Sequence, residues 1–214
     1  MSQIEPVLIF FVIVGIGFAI SRYLDHRRMK AVRAIATQLG FDYCGQSRQF
    51  MHGSVWRSEL FTKGRNGYIK NLIRGQVEDL PIAVADYQYT TGSGKNKRTV
   101  RQTVAVVELQ QTSLPQFSLN PETVFHKIGG LFGYQDIDFE THPDFSKHYC
   151  LKGNDEAAIR DCFFSDVLSF FENHRQFWVE STGAALIIYK RGRSHKPQDW
   201  QKLINSACRV YRQF

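Results

Sequence analysis

The sequence predicts an α+β protein, with an N-terminal transmembrane helix followed by a single domain of mainly antiparallel sheet and packed helices. Three observations carry that expectation. Residues Pro6 to Ile20 (PVLIFFVIVGIGFAI) are apolar without interruption. Short β-rich runs then succeed one another around glycine-containing turns, and the helical patterns do not alternate regularly with them. Aromatic residues make up 14% of the chain, too many for a linker or a disordered tail, so the chain beyond the first segment should bury a core.

The first element is a helix over residues 1–24, meeting the bilayer through residues 4–24. Crossing roughly 30 Å of hydrocarbon takes about 20 helical residues. Ile4 extends the apolar run on one side, and Tyr23 and Leu24 extend it on the other. Arg22 can snorkel its guanidinium to the headgroups. Gly15 and Gly17 are tolerable in a membrane helix, and their spacing is not that of a Gly-x-x-x-Gly pairing face. A cleaved secretory signal would need a basic leader and a small-x-small cleavage site. Residues 1–5 carry an acid and no Lys or Arg, and Arg22 directly follows Ala19-Ile20-Ser21, so an uncleaved anchor is expected.

Orientation follows from the flanks. Arg22, Arg27, Arg28, Lys30 and Arg33 come after the span and no basic side chain precedes it. The positive-inside rule puts the N-terminus outside and the domain in the cytoplasm, a single-pass arrangement in the cell (inner) membrane. Cys44, Cys150, Cys162 and Cys208 are scattered without a Cys-x-x-Cys, and reduced buried thiols are expected. The net charge of +7 invites a nucleic-acid reading, yet the first 33 residues hold +3 of it as topology signal. The remaining +4 is ordinary for a soluble domain, and no zinc-finger, helix-turn-helix or RNA-recognition signature occurs. Nucleic acid is not an expected partner.

Residues 25–40 read as a basic membrane-proximal helix that can continue the anchor without a break. Met29, Val32, Ile35, Ala36 and Leu39 recur at three- and four-residue steps, and Gly40 sits where a C-terminal cap belongs. Residues 41–214 form the domain. Strands are expected at Phe41–Cys44, Ile69–Val77, Ile82–Thr91 and Thr99–Leu109, the last two joined as a hairpin around Gly92–Lys97. Further strands come at Phe117–Leu119, Ile137–Glu140 and Phe145–Lys152, with a short helix at Thr123–Ile128. Asn154-Asp155-Glu156 caps one long helix running to about Asn173. A hairpin pairs Phe177–Ser181 with Ala184–Arg191 about Thr182-Gly183. Pro197 then opens a final helix with Trp200, Leu203, Ile204, Ala207, Cys208 and Tyr211 on one face.

The candidate chemistries are few. Gly92-Ser93-Gly94-Lys95 is not a phosphate loop, because Tyr89 occupies the first glycine position, Asn96 replaces the Ser/Thr, and a strand comes next instead of a helix. The same turn is a charged finger, with Lys95, Lys97, Arg98 and Arg101 unopposed by any acid. It reads as a site for an anionic leaflet or as a solvated tip whose lysines block edge pairing. Asp136, Asp138 and Glu140 alternate with apolar residues, so a strand there would put three carboxylates on one face, a candidate metal or acid/base site. The ordinary alternative is a half-buried strand with a wet acidic side. Asp86, inside an apolar strand, needs a basic partner. No Gly-x-Ser-x-Gly elbow occurs, the seven histidines are dispersed, and no cofactor is expected.

Asp86-Tyr87-Gln88-Tyr89-Thr90-Thr91-Gly92-Ser93-Gly94-Lys95, the run from Leu114 to Glu122, the Asp136–Glu140 segment with Pro143 and Phe145-Ser146 after it, and Gly153–Arg160 together resemble an uncharacterised family of bacterial single-span membrane-anchored proteins. The resemblance covers nearly the whole chain and implies a bacterial origin and a single-span architecture. It implies no activity and no site residues. The function expected is a membrane-tethered, non-enzymatic module binding a protein partner or the leaflet surface. Its surfaces would be Arg22, Arg27, Arg28, Lys30, Arg33, Lys95, Lys97, Arg98 and Arg101. The alternative is a membrane-bound enzyme or divalent-cation site on Asp136, Asp138 and Glu140.

Overall fold

The computed structural model describes residues 4–46, 51, 53–110, 113–122 and 136–214. It is α+β. A single helix, α1 (Ile4–Leu39), carries both the apolar run and the basic flank without a break. Gly40, at φ +68°, ends it in the left-handed conformation that glycine adopts without strain. Along residues 9–24 the large apolar side chains are 51% to 67% exposed, so among the described residues nothing covers this half of the helix. It is long and apolar enough to cross a membrane. Beyond it, Val32 and Ala36 are buried against the domain.

Eight strands form one antiparallel sheet: β1 (Asp42–Gly45), β2 (Arg65–Val77), β3 (Leu80–Thr91), β4 (Arg98–Glu108), β5 (Phe117–Pro121), β6 (Tyr149–Gly153), β7 (Trp178–Ser181) and β8 (Ala185–Tyr189). Their order across the sheet is β1-β2-β3-β4-β8-β7-β5-β6. The central strands bury both faces. Ile82 and Val84 of β3, Ala105 and Val107 of β4, and Leu186 and Ile188 of β8 join one core, which the helices cover. Their alternate neighbours Ala83, Ala85, Tyr87, Val104, Val106 and Ile187 join a second core. That second face is covered by a 3₁₀ turn at Gly53–Arg57 and the short α2 (Glu59–Thr62), which contribute Val55 and Leu60. The strands therefore read as continuous apolar runs rather than as an alternation.

Several expectations change. Of the strand expected at Phe145–Lys152, the second half is β6, while residues 145–148 belong to a helix, α3 (Pro143–His148), because Pro143 opens a first turn that the following backbone continues. The expected long helix is two, α4 (Glu156–Cys162) and α5 (Ser165–Asn173), broken at Phe163-Phe164. The break lets Phe163 enter the core while Phe164 stays exposed. Ile137–Glu140 is not a strand. It docks on β6 through one backbone bond, Ile137 N–H to the Leu151 carbonyl at 2.8 Å, too little for a ladder. Asp155 caps α4 through the Ala158 N–H, and α6 (Trp200–Tyr211) buries Trp200, Leu203, Ile204, Ala207 and Cys208 as expected. The helix expected at 123–128 lies outside the described residues.

Candidate functional site

A dense polar cluster lies where α1 meets the helix-covered face of the sheet. Asp86 and Thr103 are directly paired across β3 and β4, and both sit on that face. In β2, one extra residue between Lys70 and Ile73 makes a bulge, with Asn71 at φ +52°. The bulge turns the Asn71 side chain toward the same spot. Arg28 of α1 completes the cluster. Its Nε donates to Asp86 Oδ2 at 2.7 Å and its Nη2 to Oδ1 at 2.6 Å, a bidentate pair. Nη2 also donates to the His195 carbonyl at 2.7 Å. Asn71 Nδ2 and Thr103 Oγ1 donate to the Asp86 carboxylate at 2.9 and 3.2 Å. The His195 N–H donates to Thr103 Oγ1 at 2.8 Å, which ties in the loop before α6. Burial, with Arg193 and Lys190 nearby, pushes the His195 imidazole below its usual pKa.

Beside this latch two cavities flank α1. One, of about 370 Å³, is lined by Ser21, Leu24, Arg28, Gln88 and Arg101 among others. The other, of about 420 Å³, is lined by Arg22, His26, Met29 and Tyr43. They share Asp25, Tyr68, Lys70 and Asn71, so together they form one groove around the Lys70–Asp25 ion pair at 3.1 Å. The groove holds four guanidinium or ammonium groups (Arg22, Arg28, Lys70, Arg101) against two carboxylates (Asp25, Asp86). Its net positive field suits an anionic ligand.

The predicted basic residues divide. Arg28 is committed to Asp86 and is not free for headgroups, which also supplies the basic partner expected for Asp86. Arg22 lines the groove. Arg27 lies 5.8 Å from the Tyr23 ring centre and Arg33 4.7 Å from that of Tyr43, while Lys30 is exposed. Lys95, Lys97 and Arg98 are exposed at the β3–β4 tip, and Arg101 Nε donates to Gln88 Oε1 at 3.0 Å. The acidic segment does not gather. Asp136 accepts the Leu151 N–H at 2.7 Å, and burial pushes its carboxyl upward, while Asp138 and Glu140 face solvent. Among the described residues no three His, Cys, Asp or Glu side chains are grouped to hold a metal ion. Asn71, Thr103 and the His195 backbone were not legible in the sequence, because a bulge and a long-range pairing bring them in. Only Asp86, an acid inside an apolar strand, hinted at them.

A further cavity of about 420 Å³ opens on the opposite face, lined by Ser54, Ser58, Lys152, Glu180 and Thr182. Glu180 is 3% exposed, accepts the Leu60 N–H at 3.0 Å and the Tyr189 hydroxyl at 2.7 Å, and is pushed above the usual carboxylate range by burial.

No protein-family model and no curated protein matches the chain. Among solved structures it is similar to the crystal structure of the mycobacterial trehalose monomycolate transport factor A, TtfA. The TM-score is 0.56 at 15% identity, covering 88% of this chain and 90% of that one. At such identity the likeness is one of fold.

Proposed function

We propose that this protein is a single-pass, membrane-tethered module that works by binding at the leaflet surface, with its N-terminus outside and its domain in the cytoplasm. The observation that carries the reading is the Arg28–Asp86 latch. It fixes α1 against the β3–β4 hairpin at one point, and nearer the apolar end Ser21 and Leu24 face Gln88 and Arg101 across the smaller cavity. The hairpin therefore runs back along the helix toward the membrane. From Asp86 to Thr91 it spans about 17 Å, against about 12 Å of helix between Arg28 and the end of the apolar run at Ile20, so a tip splayed away from the helix reaches the headgroup layer. Lys95, Lys97 and Arg98 then sit at headgroup depth. At about 1 kcal/mol for each cation near an anionic leaflet they contribute about 3 kcal/mol, roughly a hundred-fold in partitioning.

The test uses the full chain in vesicles of phosphatidylcholine with or without phosphatidylglycerol, fluorescently labelled at Asn96→Cys after the native thiols are replaced by serine. Quenching by headgroup nitroxides is expected with phosphatidylglycerol, to weaken with salt, and to vanish when Lys95, Lys97 and Arg98 are changed to Glu. Equal quenching in both lipids, or none, rejects the reading. A protein partner held by the same surface is the second reading, favoured by the shared fold with a protein named as a transport factor. The bacterial, single-span family that the sequence resembles fits either role.

A further inference from the structure

The geometry points to a second site, independent of the membrane-surface reading: Ser165, His142 and Glu172 form a nucleophile, general base and positioning acid for acyl transfer from a carboxylic ester. His142 lies just before α3, and the other two residues lie on α5, two turns apart. His142 Nδ1 is 3.2 Å from Glu172 Oε1, and His142 Nε2 is 3.0 Å from Ser165 Oγ. A carboxylate only accepts, so Nδ1 carries the proton and Nε2 is left to accept from the Ser165 hydroxyl. This is the order of contacts that activates a serine. Glu172 Oε1 also accepts the Phe145 N–H at 3.2 Å, which fixes the carboxylate in turn.

The nucleophile stands at the first position of α5, a nine-residue helix whose preceding residue, Phe164, makes no side-chain cap. The N–H groups of Ser165, Asp166 and Val167 donate to no other described residue, as expected of a first turn. They supply the donors an oxyanion needs beside Ser165 Oγ. Ser165 is exposed, and Phe164 beside it is 49% exposed, an apolar rest for the acyl arm.

In the first half-reaction Ser165 Oγ bonds to the ester carbonyl carbon as its proton passes to His142 Nε2. The tetrahedral oxyanion collapses, the bond to the alkoxy oxygen breaks, and that oxygen takes the proton from Nε2. Water then gives a proton to Nε2 and attacks the acyl-serine. The bond to Oγ breaks, Oγ recovers its proton, and ester plus water have become carboxylic acid plus alcohol.

The test is covalent labelling of the full chain in micelles by a fluorophosphonate probe, read by peptide mass spectrometry, with hydrolysis of p-nitrophenyl butyrate in parallel. The expected result is a single adduct on Ser165, absent from Ser165→Ala, which loses an exposed hydroxyl and its bond to His142. His142→Gln should slow labelling by about a hundred-fold or more. Glu172→Gln, which keeps an acceptor for Phe145, should lower kcat by at least about ten-fold with KM and melting temperature unchanged. Asp166→Asn, removing a charge near the oxyanion, should raise the rate by up to about five-fold, an effect no purely structural role produces. An unlabelled wild type, an adduct elsewhere, or equal labelling in Ser165→Ala overturns the inference and leaves the three residues as a tie between α3 and α5.

Discussion

Changing Asp86 to Asn keeps the side-chain shape and removes its charge. Asp86 accepts four hydrogen bonds, two from Arg28 and one each from Asn71 and Thr103, and its side chain is 13% exposed against 27% for Arg28. Stranding one partner of a fully buried pair costs about 3–5 kcal/mol. The partial exposure of Arg28 lowers that toward about 2 kcal/mol. For a chain of this size such a loss corresponds to a drop of about 4–8 °C in melting temperature. Thermal unfolding of the full chain in micelles, followed by tryptophan fluorescence, measures it. Arg28→Gln should cost a similar amount, and the double variant little more than either single change, a coupling of about 1–2 kcal/mol. If the single losses simply add, or each shift stays within about 1 °C, the pair is an ordinary surface contact. α1 is then not held by it, and the proposed membrane-surface role of the hairpin tip loses the fixed point it rests on.

Glu180 has a folded-state pKa raised above its ordinary 4.5, so its contribution is fully present below that value and is lost as pH rises through the folded pKa. Glu180→Gln, which can still serve Leu60 and Tyr189, should therefore gain stability relative to wild type as pH rises from about 4.5 toward 8. Melting curves across that range check it, and a difference that does not change with pH refutes it. Gly75→Ala should destabilise by about 1–3 kcal/mol, because a Cβ there would lie 2.7 Å from Phe41 Cε1 and push the ring out of its buried place below α1. Denaturant titration tests this, and an unchanged midpoint would show that the ring has room to move.

Local pattern carried much of the fold. The β3–β4 hairpin, the β7–β8 hairpin and α6 are where apolar periodicity and turn residues place them, since each hairpin pairs sequence neighbours and α6 is one uninterrupted amphipathic helix. The readings that changed depend on competition between local and tertiary demands. Residues 154–173 keep a helical period throughout, yet the chain breaks at Phe163-Phe164, where Phe163 packs into the aromatic core beside Phe117 and Phe145. Asp136, Asp138 and Glu140 alternate as a strand would, but a strand exists only if a neighbour supplies its ladder, and β6 offers the segment one backbone bond.

By itself the sequence determined the apolar span and its basic flank, the α+β class, the charged hairpin tip, and the need of Asp86 for a cation. These come from composition and short-range spacing, which act through local burial and turn geometry. Only the tertiary structure decided that the cation is Arg28, 58 residues away, and that Asn71, Thr103 and His195 close around the pair. It alone brings His142, Ser165 and Glu172 within hydrogen-bond reach. Such contacts depend on how a helix lies across a sheet and where a bulge turns one side chain, and neither leaves a periodic trace along the chain.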